Sequence, residues 1–198
     1  FGQDSLEKAL QTELSRYGKN VMLAYGGASL KKNGIYDRVR GVLKKAGKDV
    51  VDFPGIMPNP TYAKVQEGAT LAKEKSVDFI LAVGGGSVID CCKIIAAQAK
   101  TDADIWEMEF TDGKFPVEYL PMGAVVTASG TGAEQNCGAV ITNEEKGIKT
   151  GVFGAYASFA VLDPELTASV PAMQVISGAF DTLSHAMETY LGNSDQDN

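Results

Sequence analysis

Three consecutive glycines, Gly84, Gly85 and Gly86, followed by Ser87, stand between the apolar run "VDFILAV" and the helical pattern "SVIDCCKIIAAQAK". Glycine lets the backbone take positive φ and lets a ligand approach where a Cβ would block it. The first amides of the following helix have no intrahelical partner and lie at the positive end of its dipole. Such a turn can hold a phosphate without any basic side chain. Ser87 can cap the helix or donate to a phosphate oxygen. The alternative is a sharp strand-to-helix turn with a serine cap and no ligand. The spacing departs from G-x-G-x-x-G, because Ile89 stands where a third glycine belongs.

Two other stretches carry similar chemistry. In "AYGGASLKK" a strand ends at Tyr25, Gly26 and Gly27 with no carboxylate to take ribose hydroxyls. That gap leaves room for a 2′-phosphate, with Ser29 as donor and Lys31 or Lys32 as charge, so the electrostatics favour NADP(H) over NAD(H). Alternatively the glycines only turn the chain and the lysines are a solvated face. In "TASGTGAEQN", Thr127, Ser129 and Thr131 alternate with Gly130 and Gly132. Hydroxyl donors on a flexible backbone suit a phosphate or ribose contact, and equally an ordinary polar loop.

A fourth constellation suits a metal. Asp181 and His185, the only histidine, are four apart in a helical pattern and share a face. Carboxylate and imidazole at that spacing can grip a divalent cation, or simply bond each other on a helix surface. Two ligands do not close a site; the others would come from carboxylates, water, a second chain or residues after Asn198. Cys91 and Cys92 are read as small packing residues rather than redox groups.

The elements that position these residues follow from hydrophobic pattern. Continuous apolar runs at 19–25, 48–53, 77–83, 121–128 and 159–163 read as buried strands. Residues 29–47 show helical spacing at Leu30, Ile35, Val39, Val42 and Leu43, with Gly47 as end cap. Residues 59–77 open a second helix with Pro60, and 87–100 and 171–191 give two more, the last ended by Gly192. "GAVIT" and "IKTGVF" flank "NEEKG" as a hairpin. Strand and helix alternating with short connections predict an α/β fold, a Rossmann-like parallel sheet with helices on both faces. Right-handed crossovers place every strand's carboxyl end on one rim, where the glycine-rich turns fall.

Composition sets outer bounds. The chain has 198 residues, 44% of them apolar, enough for one sizeable core and part of a second domain. A net charge of -7 argues against a nucleic-acid partner. No apolar stretch is long enough to span a membrane, and no signal peptide is read at the start. Three cysteines are too few for a disulfide scaffold, which favours a reducing, cytoplasmic home. The start at Phe1 and the polar run "LGNSDQDN" are read as cut ends.

Taken together, "YGGASLKKNGIYDRV", "PNPTYAKVQEGATLAKEKSVDFILAVGGGSVIDCCK", "TASGTGAEQNCGAVITNEEKGIKTG", "FAVLDPELTASVP" and "GAFDTLSHAMETYL" resemble the iron-dependent alcohol dehydrogenases, most closely their butanol dehydrogenase branch. The resemblance implies that Gly85, Gly86, Ser87 and Asp90 form a pyrophosphate-binding turn. It implies that Thr127 and Thr131 bind nucleotide and that Lys149 lies near the cofactor. Gly26 occupies the place of an acid in NAD-preferring members, so Gly26, Gly27 and Ser29 look like the NADP-preferring form. Asp181 and His185 match part of the metal ligand set, for Fe²⁺ or alternatively Zn²⁺. Substrates would be small alcohols or aldehydes, and the assembly a homodimer.

Family members are much longer, and their remaining metal ligands are histidines in a later helical domain. The chain therefore divides, on this reading, into a dinucleotide-binding α/β domain at 1–166 and, at 167–198, the first helix of a truncated all-helical domain. It also lacks the opening strand of the family's sheet. No protein acid stands out in the segment, which leaves the proton to water or a ribose hydroxyl. The expected activity is metal-assisted hydride transfer by the full-length protein. The alternatives are a nucleotide-binding module without catalysis and a lyase similar to dehydroquinate synthase.

Overall fold

The computed structural model describes residues 1–192. Five parallel strands form one sheet in the order β2-β1-β3-β4-β7. They are β1 (Asn20–Tyr25), β2 (Asp49–Phe53), β3 (Phe79–Gly84), β4 (Met122–Val126) and β7 (Phe159–Val161). Helices α1 (Ser5–Leu14) and α3 (Ile35–Lys45) contribute buried leucines, isoleucine and valines to one face of the sheet, and α4 (Tyr62–Glu74) and α5 (Gly86–Gln98) pack on the other. The fold class is as the sequence predicts.

The strands lack polar alternation because both faces are covered. In β1 and β3, Val21, Leu23, Phe79 and Leu81 face the α1–α3 side, while Met22, Ala24, Ile80 and Ala82 face α4 and α5. Each large apolar side chain buried this way contributes about 1.5–3 kcal/mol relative to exposure. The sheet therefore holds a rigid rim along its strand ends. The predicted hairpin is present as β5 (Gly138–Asn143) and β6 (Ile148–Phe153), an antiparallel pair forming its own small sheet.

Several local expectations are corrected. The single helix expected over 29–47 is two: α2 (Ser29–Lys32) and α3, separated by Gly34 at φ 73. A left-handed residue cannot continue an α-helix, so the axis breaks there. The helix expected from residue 87 starts at Gly86, with Gly85 as its extended N-cap, so Ser87 lies inside the first turn and does not cap. Two helices carried no prediction, α1 and α6 (Ile105–Phe110). The α1 signal was present in Leu6, Leu10 and Leu14, four apart and fully buried. Asp163, 1% exposed, accepts from Leu6 N and Glu165 N and so ties α1 to the segment after β7.

The last described element is α7 (Ala172–Leu191), which begins after Pro171 as expected. It leaves Met173, Phe180, Leu183 and Met187 exposed. Residues 193–198, the end of the expected second domain and most of the polar run, lie outside the described residues. Among the described residues, no helix is long and apolar enough to cross a membrane.

Candidate functional site

The carboxyl ends of β1, β3 and β4 are neighbours, so their following turns meet on one rim. At the centre, β3 ends at Gly84 and α5 begins two residues later. Packing explains each glycine. A Cβ on Gly84 would lie 2.5 Å from Val88 Cγ2, and one on Gly85 would lie 3.2 Å from Ala128 Cβ. A Cβ on Gly86 would lie 2.6 Å from Thr131 Oγ1. The threonine loop thus closes directly over the glycine turn, and Thr127 N donates to Gly84 O at 3.0 Å. Amides without a helix partner at the start of a 13-residue helix, with a threonine hydroxyl beside them, are donors of the kind that can hold an anion with no positive side chain.

The first turn borders the same place. Gly26 accepts from Gly55 N at 3.0 Å, and a Cβ on it would lie 3.1 Å from Ile56 O and 3.7 Å from Val88 Cγ2. Gly27 faces open space. Ser29 opens α2 and lines a cleft of ≈ 280 Å³ together with Asn33, Thr127, Ala128 and Ser169. Of the two lysines considered for charge, Lys31 is positioned: its Nζ lies 4.8 Å from the Tyr36 ring centre and 5.6 Å from that of Tyr25. Tyr36 in turn donates to Asp52 at 3.1 Å. Burial, and next that bond to the carboxylate, push the Tyr36 hydroxyl up to about 12. The pairing of Tyr36 with Asp52 is not readable from the sequence, because it joins a helix to the neighbouring strand β2.

Two of the expected cofactor residues are engaged elsewhere. The Asp90 carboxylate accepts from Val140 N at 3.0 Å and from Lys93 Nζ at 3.3 Å. Lys93 is fully buried and also donates to Asn136 Oδ1 at 3.0 Å and Gly138 O at 2.6 Å. Burial raises the Asp90 carboxyl and lowers the Lys93 ammonium, and the pairing opposes both shifts. This pair fastens α5 to the hairpin, a role the sequence did not disclose. Lys149, on β6, donates to Asn59 Oδ1 at 2.6 Å, beside the segment that leaves the end of β2.

Asp181 and His185 share the exposed face of α7, with Nε2 and Oδ1 3.8 Å apart. Glu188 Oε2 lies 3.4 Å from His185 Nδ1. Asp181 faces the threonine loop: a Cβ on Gly130 would lie 3.3 Å from its Oδ2. Among the described residues no group of three or more His, Cys, Asp or Glu side chains is placed to hold a metal. The oxygen and nitrogen donors present suit Fe²⁺ or Zn²⁺, as part of a ligand set. Cys91 and Cys92 are buried, with burial driving both thiols up, Cys91 to about 12, which suits packing and not redox chemistry.

A family model described as iron-containing alcohol dehydrogenase matches residues 1–164. The probable NADH-dependent butanol dehydrogenase 2 of Bacillus subtilis (strain 168) is 47% identical over 196 residues, covering 98% of this chain and 50% of that protein. The NADPH-dependent aldehyde reductase YqhD of Escherichia coli (strain K12) is 43% identical over 175 residues, 86% of this chain and 45% of that one. The crystal structure of NADH-dependent butanol dehydrogenase A from Thermotoga maritima superposes with a TM-score of 0.87 at 40% identity, over 95% of this chain and 48% of that chain. The chain spans about half the length of the curated relatives it matches. With sequence and fold in agreement over nearly its whole length, the chain belongs to the iron-containing alcohol dehydrogenase family.

Proposed function

We propose that the whole protein is a nicotinamide-dependent oxidoreductase interconverting small aliphatic alcohols and aldehydes. One observation carries this reading: Gly85, Gly86 and Ser87 stand at the start of α5 with the Thr131 hydroxyl beside Gly86, an arrangement of donors that suits the pyrophosphate of a dinucleotide. Thr127 and Thr131 bind from the β4 side. Gly26, Gly27 and Ser29 receive the adenosine end. Asp90 acts at one remove on this reading, holding the hairpin that carries Lys149 toward the cofactor.

The proposed preference is for NADP(H). Gly26 and Gly27 place no carboxylate against a 2′-phosphate, and Lys31 is held above two aromatic rings beside them. The relatives include both an NADH-dependent and an NADPH-dependent enzyme, and on this reading the side chains of the first turn decide between the two cofactors. Gly26→Asp tests it: the NADPH to NADH ratio of kcat/KM should fall by about 10-fold or more, as one repelled charge contact implies. An unchanged ratio would remove Gly26 from the specificity site. The substituted side chain must also displace Ile56 O slightly, so the matching Gly27→Asp variant, at an open position, serves as a second probe.

Asp181 and His185 would hold Fe²⁺, or Zn²⁺, with ligands from elsewhere in the whole protein. When bound, such an ion supplies Lewis-acid polarisation of a carbonyl oxygen. This chain's own residues bind and orient: the rim fixes the dinucleotide, and α7 carries Asp181 against the threonine loop with His185 beside it on the same face. The protein's part in hydride chemistry is position and field. Homodimer formation and a cytoplasmic location are carried by the resemblance and by cysteine usage alone; sedimentation of the purified protein checks the first. Titration of the whole protein with NADPH, followed by nicotinamide fluorescence, tests the central reading. Absence of saturable binding would end it.

A further inference from the structure

The two candidate half-sites are not independent in space. The threonine loop touches the glycine turn on one flank, through Thr131 and Gly86, and α7 on the other. The α7 contact is a backbone approach. A Cβ on Gly178 would lie 2.4 Å from Ser129 O, and one on Gly130 would lie 3.3 Å from Gly178 Cα. Thr182, one turn further along α7, has its hydroxyl 3.1 Å from Gly130 O and 2.9 Å from Gly178 O. A hydroxyl has one proton, so it bonds either the loop or its own helix at a given moment. Asp181 is the neighbouring residue and its carboxylate faces Gly130.

We infer that Gly178 and Thr182 are positioning residues that couple dinucleotide binding to metal affinity. A dinucleotide that engages Thr127 and Thr131 orders the loop. The ordered Gly130 carbonyl draws the Thr182 hydroxyl away from Gly178 O and fixes α7 against the loop. The Asp181 carboxylate then meets a metal in one orientation rather than several, so less ordering entropy is lost on binding. The linkage is reciprocal: metal bound through Asp181 and His185 tightens dinucleotide binding by the same factor. The inference rests on the dinucleotide site proposed above.

The test uses the whole protein, freed of metal, with Zn²⁺ as probe in competition with a chromophoric chelator. Its dissociation constant is measured with and without saturating NADPH. The wild type should bind Zn²⁺ roughly 5-fold or more tightly with NADPH present. Gly178→Ala pushes α7 off Ser129 O, and Thr182→Val removes the shared hydroxyl; each should bring the ratio to within about 2-fold of unity. Thr182→Ser keeps the hydroxyl and should retain the wild-type ratio, which a role in helix packing alone would not predict. Thermal melts of each apoprotein check that the fold is intact. Saturable binding of both probes with no coupling in the wild type, or with coupling unchanged in Gly178→Ala and Thr182→Val, overturns this inference and leaves the proposed function standing. Failure of NADPH to bind at all overturns both.

Discussion

At the scale of single residues, the rim is decided by atoms that are absent. Gly86 is the sharpest case, because a methyl there would meet the Thr131 hydroxyl at 2.6 Å. Gly86→Ala should therefore displace the Thr131 hydroxyl, the proposed phosphate donor, as well as crowd the turn. Losing one bond to a charged group predicts dinucleotide binding about 10- to 100-fold weaker, with stability little changed. Fluorescence titration reads the affinity, and a denaturant melt separates it from misfolding. Lys31 offers a second test at this scale. Its ammonium sits over Tyr25 and Tyr36, so Lys31→Met keeps most of the packing and removes only the charge. NADPH affinity should drop while NADH affinity holds, and the NADPH loss should shrink as salt is raised. Equal effects on both cofactors would place Lys31 outside the 2′-phosphate site.

At the scale of elements, the hairpin β5–β6 needs an anchor, since two strands alone are marginal in water. The buried Asp90–Lys93 pair provides it, reaching from α5 to Asn136, Gly138 and Val140. Removing one member leaves a buried charge uncompensated, so Lys93→Met should cost about 3–5 kcal/mol of stability in a denaturant titration. The double variant Lys93→Met with Asp90→Asn should recover much of that loss, because the amide oxygen still accepts from Val140 N and no charge remains. If the double variant is no better than the single one, the pair is not what fastens the hairpin. The cap of α4 is a smaller effect of the same kind. Thr61 accepts from Lys64 N at 3.2 Å, and Thr61→Ala should cost about 1 kcal/mol.

At the scale of the whole molecule, stability depends on pH through groups the core has enclosed. Glu109 is 9% exposed and, among the described residues, its carboxylate accepts only from Phe153 N, with burial raising its pKa above the ordinary value of 4.5. Below that value the group is protonated in both the folded and the unfolded chain. As pH rises past it, the unfolded chain releases its proton first, so stability falls until the folded group ionises too. Glu109→Gln removes this dependence. Its melting temperature relative to wild type should therefore increase as pH is taken from about 4 to 7. A gap that stays constant across that range would show that Glu109 is not the group responsible.

The fold was legible because its strands are buried on both faces, which removes polar alternation and leaves continuous apolar runs bounded by glycine turns. The glycine cradle, the threonine loop and the i,i+4 spacing of Asp181 and His185 were legible for a related reason: each is local in sequence. The break at Gly34 was not, since a helical pattern of side chains says nothing about the φ of the residue between. Nor were the commitments of Asp90 to the hairpin, of Asp52 to Tyr36 or of Thr182 to Gly130, which join residues 50, 16 and 52 positions apart. Pattern along a chain determines which segments must be buried and where a backbone can bend. Which buried charge finds which partner is set by packing between elements, and only the folded chain decides that.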